Sequence, residues 1–257
     1  MSAEKLIKAQ AKEKLKHGGW AKALFALAIL VIVYMLVECV ALLGSYTIDV
    51  IEPNKTVEFI IEVAGGSLAM IVALLLSPVV LGFFRMFYSG DKEYSMDDVL
   101  YYFSSAKHYT KAIKFVLSFI LRMFLPTLLY SIPPIAWYLA NYFFNDNRQM
   151  ELWSNAIFVL LIIFAILFTL RHSIRYFVSI LLLCENEFES TSYYFKTSKQ
   201  IMKRHEKDVV KLFWSFIGWI LLSITGLPAL YTIPYFTQAL CLSGKWLVEL
   251  SRNGQNL

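Results

Sequence analysis

Charge is scarce in this chain of 257 residues: Asp, Glu, Lys and Arg make up 17% of it, where a soluble domain carries about 25%. That shortfall leaves little chain for a separate soluble unit, and a single membrane domain over residues 1–257 is expected. Cysteine is scarcer still. Cys39, Cys184 and Cys241 lie far apart, in or beside apolar segments, and form no C-x-x-C. Neither disulfide staples nor zinc sites are expected from them, and their reading is as small apolar packing residues. The chain also lacks H-E-x-x-H, G-x-S-x-G and G-x-x-x-x-G-K-[ST]. Zinc ligands, an exposed serine nucleophile and a phosphate cradle of those kinds are therefore missing. Asp97-Asp98 is a poor metal pair, because neighbouring residues do not share a helix face. His17, His108 and His205 are scattered through polar segments, and His172 stands alone. No cofactor, no metal and no enzymatic activity are expected.

What is abundant is apolar: 58% of residues are hydrophobic and 16% aromatic. A helical span needs roughly 20 mostly apolar residues. Six stretches approach that length, at 20–44, 64–84, 113–138, 153–184, 210–225 and 231–250. The expected fold is all-α, a polytopic bundle of six transmembrane helices with amphipathic surface helices. The first run has no small-residue cleavage site and exceeds the core of about 7–15 residues of a signal peptide, so it is expected to stay as a membrane helix.

The Lys and Arg residues fall on one side of these spans. The exceptions are Lys55, Arg148 and Arg122; the N-terminal segment, the loop after span two, the stretch before span five and the tail hold all the others. The opposite loops are acidic, with Asp49, Glu52 and Glu58 in one and Asp146 and Glu151 in the other. The positive-inside rule puts both termini in the cytoplasm. The net charge of +5 then reads as attraction to anionic lipid headgroups, not to nucleic acid.

Three segments read as cytoplasmic surface helices. Residues 3–17 put Leu6, Ile7, Ala11 and Leu15 on one face, end at Gly18-Gly19, and are expected to lie on the inner membrane surface. Residues 95–106 open on Ser95 and Asp98, a start that resembles a capping box. Residues 190–207 carry Lys196, Lys199, Lys203 and Lys207 as a basic stripe, either a solvated face near anionic lipid or a docking surface for an acidic partner. Tyr101-Tyr102-Phe103 and Ser118-Phe119-Ile120 are echoed by Tyr193-Tyr194-Phe195 and Ser215-Phe216-Ile217, the pattern of a parallel repeat such as transport folds contain.

Gly65, Ala69, Ala73 and Ser77 recur every four residues in span two. Small side chains let membrane helices approach closely, so this stripe is expected to form the tightest seam, with Ala239 and Ser243 a shorter version in span six. Pro126 is expected to kink span three. Two charges lie inside spans: Glu38 in the first and Arg122 in the third, about 12 Å deeper than Lys114 at the helical rise. A charge at that depth is expected to face the bundle and find a partner. Glu38 with Arg122 is thus expected to be a register-fixing ion pair, or else part of a solute or proton site. Arg171, His172 and Arg175 form an inner basic cluster, expected to snorkel to headgroups, pair with Glu185 or Glu187, or line an inner cavity.

The segment TSKQIMKRHEKDVVKLFWSFIGWILL, followed by TIPY, resembles the signature of the DUF975 family of bacterial membrane proteins. The matching positions are Ser198, Met202, Lys203, Ser215, Phe216, Gly218, Trp219, Pro234 and Tyr235. AKEKLKHGGW and Arg175-Tyr176 are similar to the family as well. Arg204 departs from it, standing where the family has Gly. The resemblance implies a bacterial cytoplasmic membrane and carries over no catalytic residue. The functional expectation is a non-enzymatic accessory or structural membrane protein acting through contacts with lipid, a membrane-protein partner or a second copy. A small transporter or channel for a solute or lipid is the alternative.

Overall fold

The computed structural model of the chain describes residues 3–16, 19–51, 54–89, 94–144, 148–186 and 189–253. Gly18, Glu52, Lys92, Asp146 and Glu187 lie outside these, as do the side chains of Asp49, Arg148 and Glu151. Every regular element among the described residues is helical. The order is α1 Ala3–Lys16, α2 Gly19–Ile51, α3 Lys55–Leu76, α4 Pro78–Ser89, a 3-10 turn at Tyr101–Phe103, α5 Ala106–Phe144, α6 Arg148–Ile174, α7 Phe177–Glu185, α8 Thr191–Ser223 and α9 Leu227–Arg252.

Local chemistry places the helix ends. Asn54 caps α3 by accepting from Val57 N at 3.0 Å, and Ser190 caps α8 by accepting from Tyr193 N at 3.3 Å, the usual work of short polar side chains at that position. Pro78 has no N–H to give and opens α4 where none is needed. The turn into α9 passes through Gly226 at φ 89°, a left-handed backbone that glycine adopts without a Cβ penalty.

Three antiparallel hairpins make up the molecule: α2 with α3, α5 with α6, and α8 with α9. Their closed ends, at 51–55, 144–148 and 223–227, are here termed outer. At the open, Lys- and Arg-rich inner end the hairpins merge into one dense layer. Phe115, Leu183, Tyr194, Phe195, Met202 and Leu247 are buried together there, next to a second cluster built around Leu15, Met86, Phe87, Val99 and Leu181. The outer halves contribute little to either cluster. Their side chains are largely exposed, up to 81% for Ile224 and Leu227 at the α8–α9 tip.

Of the three helices that run inward from the closed ends, α3 and α6 break at the inner layer while α9 runs on unbroken, and a hydroxyl from α5 or α8 caps each break. At α3–α4, Tyr109 donates to Leu75 O at 3.0 Å. At α6–α7, Ser198 donates to Arg175 O at 2.9 Å and Ser179 to Tyr176 O at 2.5 Å. These hydroxyls supply hydrogen bonds to the carbonyls at the two breaks. The two courses, α3–α4–α5 and α6–α7–α8, thus run in parallel, each with a buried middle tyrosine, Tyr102 or Tyr194.

Among the described residues, four stretches are long and apolar enough to cross a membrane: Gly19–Gly44, Lys55–Ser89, Ala106–Asn141 and Trp153–Glu185. The expected segments 210–225 and 231–250 do not reach that measure. In α8 the uncharged stretch after Lys211 ends with the helix at Ser223 and is too short, and in α9 Thr232, Gln238, Lys245 and Glu249 dilute the apolar run.

One other expectation is corrected. Residues 95–106 are not a helix but a chain of turns ending in the 3-10 turn. Ser95 Oγ accepts from Asp97 N at 3.2 Å, while Asp98 reaches back to Arg85 Nε at 3.2 Å and accepts from Ser89 Oγ. The helix α1 is docked against α9, α8 and α2, with Ala11 and Leu15 fully buried and only Leu6 of its apolar face exposed. Helix α5 continues through Pro126, Pro133 and Pro134.

The small-residue stripe is only half used. A Cβ on Gly65 would meet Gly44 Cα at 3.3 Å, and Ala69 is buried beside that contact, but Ala73 is exposed and Ser77 closes α3 by donating to Leu74 O. Closer approaches occur elsewhere. A Cβ on Gly82 would stand 2.0 Å from Val99 O, and one on Gly244 would stand 1.9 Å from Leu181 Cδ1. Ala239 and Ser243 are both buried in α9.

Candidate functional site: a basic junction where α5, α6 and α8 meet

The side chains of three helices converge at one level. Met123 Sδ on α5 lies 3.7 Å from Ser173 Oγ on α6, which places Arg122 level with Arg171 and Arg175. The centre is Phe195 on α8. It stacks on Phe115 at 5.0 Å, takes the edge of Tyr176 at 5.7 Å, and carries the Arg122 guanidinium over its face at 4.2 Å. A cation over an aromatic face gains about 0.5–2 kcal/mol depending on desolvation. Arg122 Nη1 also donates to Ser118 O at 3.0 Å, one turn back.

Glu206 on α8 supplies the carboxylate. Arg171 Nε donates to its Oε1 at 2.8 Å, and Arg175 Nε stands 3.9 Å from its Oε2. His172 packs on Tyr176 at 5.6 Å and lies within electrostatic reach of Arg175 and Lys199. Glu206 therefore meets Arg171 and Arg175, while Arg122 is held on Phe195, three turns earlier on α8.

The expected Glu38–Arg122 ion pair is not formed. The helix of Glu38 packs on α3, α9, α1 and α4, whereas α5 packs on α6, α4, α3 and α8; among the described residues no close seam joins α2 to α5. Glu38 stands beside the Tyr34 hydroxyl of its own helix instead. Glu185 does not serve the basic cluster either, because it accepts from Arg252 Nη1 at 2.6 Å. The true acid, Glu206, sits inside a lysine-rich stretch of sequence. Only an unbroken α8 carries it alongside α6.

Next to the junction, α5 and α6 part to leave a cleft of about 310 Å³. Thr127, Ser131 and Pro134 line one wall, and Ile162, Ala165 and Leu170 the other. Its inner end is thus one residue from Arg171 in sequence. Among the described residues, no group of three or more His, Cys, Asp or Glu side chains is placed to hold a metal ion.

Residues 1–242 match the family described as Protein of unknown function (DUF975). The chain belongs to the DUF975 family. No curated protein and no solved structure matches it.

The positions that carry the DUF975 resemblance fall into two structural groups. Ser198 caps the α6–α7 break, and Met202, one turn on, is fully buried beneath it. Ser215, Phe216 and Tyr235 form a cradle for α1. Lys8 Nζ donates to Ser215 O at 2.8 Å and lies 4.3 Å over the Phe216 ring, while Tyr235 Oη donates to Lys8 O at 3.3 Å. Burial pulls the Lys8 ammonium below its ordinary value, against an opposing pull from Glu4. Trp219 packs on Tyr231 at 5.4 Å and Pro234 is buried, whereas Lys203 and Gly218 are exposed. Arg204, the departure from the DUF975 pattern, lies within α8 and interrupts nothing.

Proposed function

We propose that this DUF975 protein is a non-enzymatic, multi-pass protein of the bacterial cytoplasmic membrane. It has six spans, and both termini are cytoplasmic. It acts as an accessory or structural component through the contacts its inner layer makes with lipid or a partner. The observation that carries this reading is the division of the molecule into a dense basic inner layer and splayed, exposed apolar hairpins. Such hairpins suit lipid as solvent, and the layer suits the anionic inner headgroups.

Depth supports it. Beyond Arg122 and Arg171 the hairpin α5–α6 is uncharged through Phe144 on one side and back to Trp153 on the other, lengths of about 33 and 27 Å at the helical rise. That matches a hydrocarbon core of about 30 Å. On this reading Arg122 marks the inner boundary instead of lying deep in a span. Glu206 is level with Arg171, and Gly226 lies about 30 Å further along α8. The α8–α9 hairpin is therefore long enough to cross, although its two helices are less apolar than the other four stretches.

The α5–α6 cleft, together with Arg122 on the same helix, which no carboxylate meets among the described residues, is the observation that favours the second reading, a small transporter or channel. Its walls are apolar with a few hydroxyls, which suits a lipid tail better than a polar solute. A leak assay on reconstituted, sealed vesicles tests the choice. The accessory reading expects ion and small-solute permeability equal to that of empty vesicles. Flux that disappears in Arg122→Gln would move the assignment to transport.

A further inference from the structure

We propose that the α5–α6 cleft binds an uncharged diacylglycerol of the inner leaflet, its free hydroxyl bridging Thr127 and Thr169 and one acyl chain lying along the cleft. This rests on the reading that lipid surrounds the hairpins and that their closed ends point outward.

The two threonines face each other. Met123 Sδ lies 3.7 Å from Ser173 Oγ, Tyr130 packs on Phe168 at 5.6 Å, and Tyr138 packs on Phe158 at 5.9 Å. The antiparallel register of these contacts puts Thr127 opposite Thr169, and both line the cleft. A serine or threonine on a helix commonly returns its hydroxyl to the ladder one turn back, as Thr47 does to Leu43 O at 2.7 Å and Ser223 to Trp219 O at 2.8 Å. Thr127 and Thr169 do not, and among the described residues neither hydroxyl has a hydrogen-bond partner. In hydrocarbon such a group is costly. One alcohol placed between the two can donate to one threonine and accept from the other.

The walls beyond the threonines suit a chain. From Thr127 and Leu170 the cleft reaches Pro134 and Ile162, a run of about 10–12 Å along the helices. Ser131 on that wall needs no ligand, since its Oγ donates to Thr127 O within α5 at 2.8 Å. No charged residue lines the cleft. The nearby arginines are engaged elsewhere, Arg122 on Phe195 and Arg171 on Glu206. An ionised headgroup therefore finds no counter-charge at the threonines, whereas an alcohol has both of its hydrogen-bonding needs met there. Depth agrees: Thr127 lies about 7.5 Å beyond Arg122 and Thr169 about 3 Å beyond Arg171, just inside the hydrocarbon boundary, where the glycerol of an inner-leaflet lipid gives way to its chains.

The full chain in phosphatidylcholine nanodiscs is photolabelled with a diacylglycerol that carries a diazirine on one acyl chain, and the labelled residues are mapped by peptide mass spectrometry. Labelling of the cleft wall around Ala165 is expected. Unlabelled dioleoylglycerol should compete at least about tenfold better than its O-acetyl ester, which keeps both chains and lacks the free hydroxyl, and at least about tenfold better than dioleoyl phosphatidic acid. Thr127→Val with Thr169→Val keeps the shape of the walls and removes both hydroxyls; it should lower cleft labelling about tenfold, as the loss of two neutral hydrogen bonds does. Thr47→Val, at a hydroxyl already satisfied within α2, should leave labelling unchanged. Equal competition by the alcohol and the ester overturns the proposal and leaves an apolar groove only. Equal competition by phosphatidic acid overturns it too, as does full labelling of the threonine variant, or a loss in Thr47→Val as large as in the threonine variant. The competitor comparison uses the unmodified chain, so misfolding of a variant cannot rescue the idea. If cysteine labelling places Asn54 and Lys199 on opposite sides of the membrane and the cleft does not select the alcohol, this site alone fails. If both are labelled from one side, the functional reading fails with it.

Discussion

Lys8 reaches across 207 residues of sequence to donate to the main-chain oxygen of Ser215 at 2.8 Å, with its ammonium over Phe216. This contact ties the N-terminal helix to the α8–α9 hairpin and makes it part of the dense inner layer. Lys8→Met keeps the stem on the Phe216 ring and removes the donor. A partly exposed charge-assisted hydrogen bond of this kind is worth about 1 kcal/mol, so α1 should open roughly fivefold more often. Hydrogen exchange of the α1 amides at fixed pH measures that ratio.

The same lysine gives α1 docking a pH dependence. Burial lowers its docked pKa below 10.5. Between that lowered value and 10.5 the undocked state binds more protons, so docking strengthens as pH rises through the interval and is independent of Lys8 below it. Spin-label distances between α1 and α9 across the alkaline range should show that slope, and Lys8→Met should abolish it.

Gly82 is required by a crossing and Gly66 is not. A Cβ at Gly82 would lie 2.0 Å from the Val99 carbonyl oxygen, a backbone atom that cannot turn aside, whereas one at Gly66 meets nothing within 4 Å. Gly82→Ala should destabilise the purified protein by about 1–3 kcal/mol. Gly66→Ala should stabilise it by about 0.5–1 kcal/mol through helix propensity. Thermal unfolding in detergent separates the two by sign.

Arg85 clamps three elements at once. It meets Asp98 at 3.2 Å in the turn segment, Cys184 O at 3.3 Å at the end of α7, and the Tyr101 ring at 3.6 Å. The pair is about one-fifth exposed, at 20% and 18%. Asp98→Asn should therefore cost about 1–3 kcal/mol, while Asp97→Asn, on an exposed side chain, should stay within about 0.5 kcal/mol. The melting temperatures of the two variants check this.

Much of the helical layout was legible because long apolar runs and one-sided lysines depend on composition alone. Partners were not, because they depend on which helices share a seam. Glu38 and Arg122 are a plausible pair by depth, yet α2 and α5 do not pack together. Glu206 looked like one acid in a solvated basic stripe until an unbroken α8 brought it to Arg171. The 95–106 segment has a helix-like opening, but Arg85 claims Asp98, and the Gly82–Val99 crossing holds the chain as turns. The seam glycines Gly44, Gly82 and Gly244 escaped notice because each meets a partner distant in sequence, whereas the stripe on α3 was visible from spacing alone.

The central claim is that the dense basic layer and the closed ends of the hairpins lie on opposite sides of a membrane. Single cysteines at Asn54 and Lys199, in a chain with Cys39, Cys184 and Cys241 replaced, test it with a membrane-impermeant thiol reagent on intact cells. The account predicts that Asn54→Cys is labelled from outside and that Lys199→Cys is labelled only after the membrane is opened. Labelling of both from the same side would contradict it.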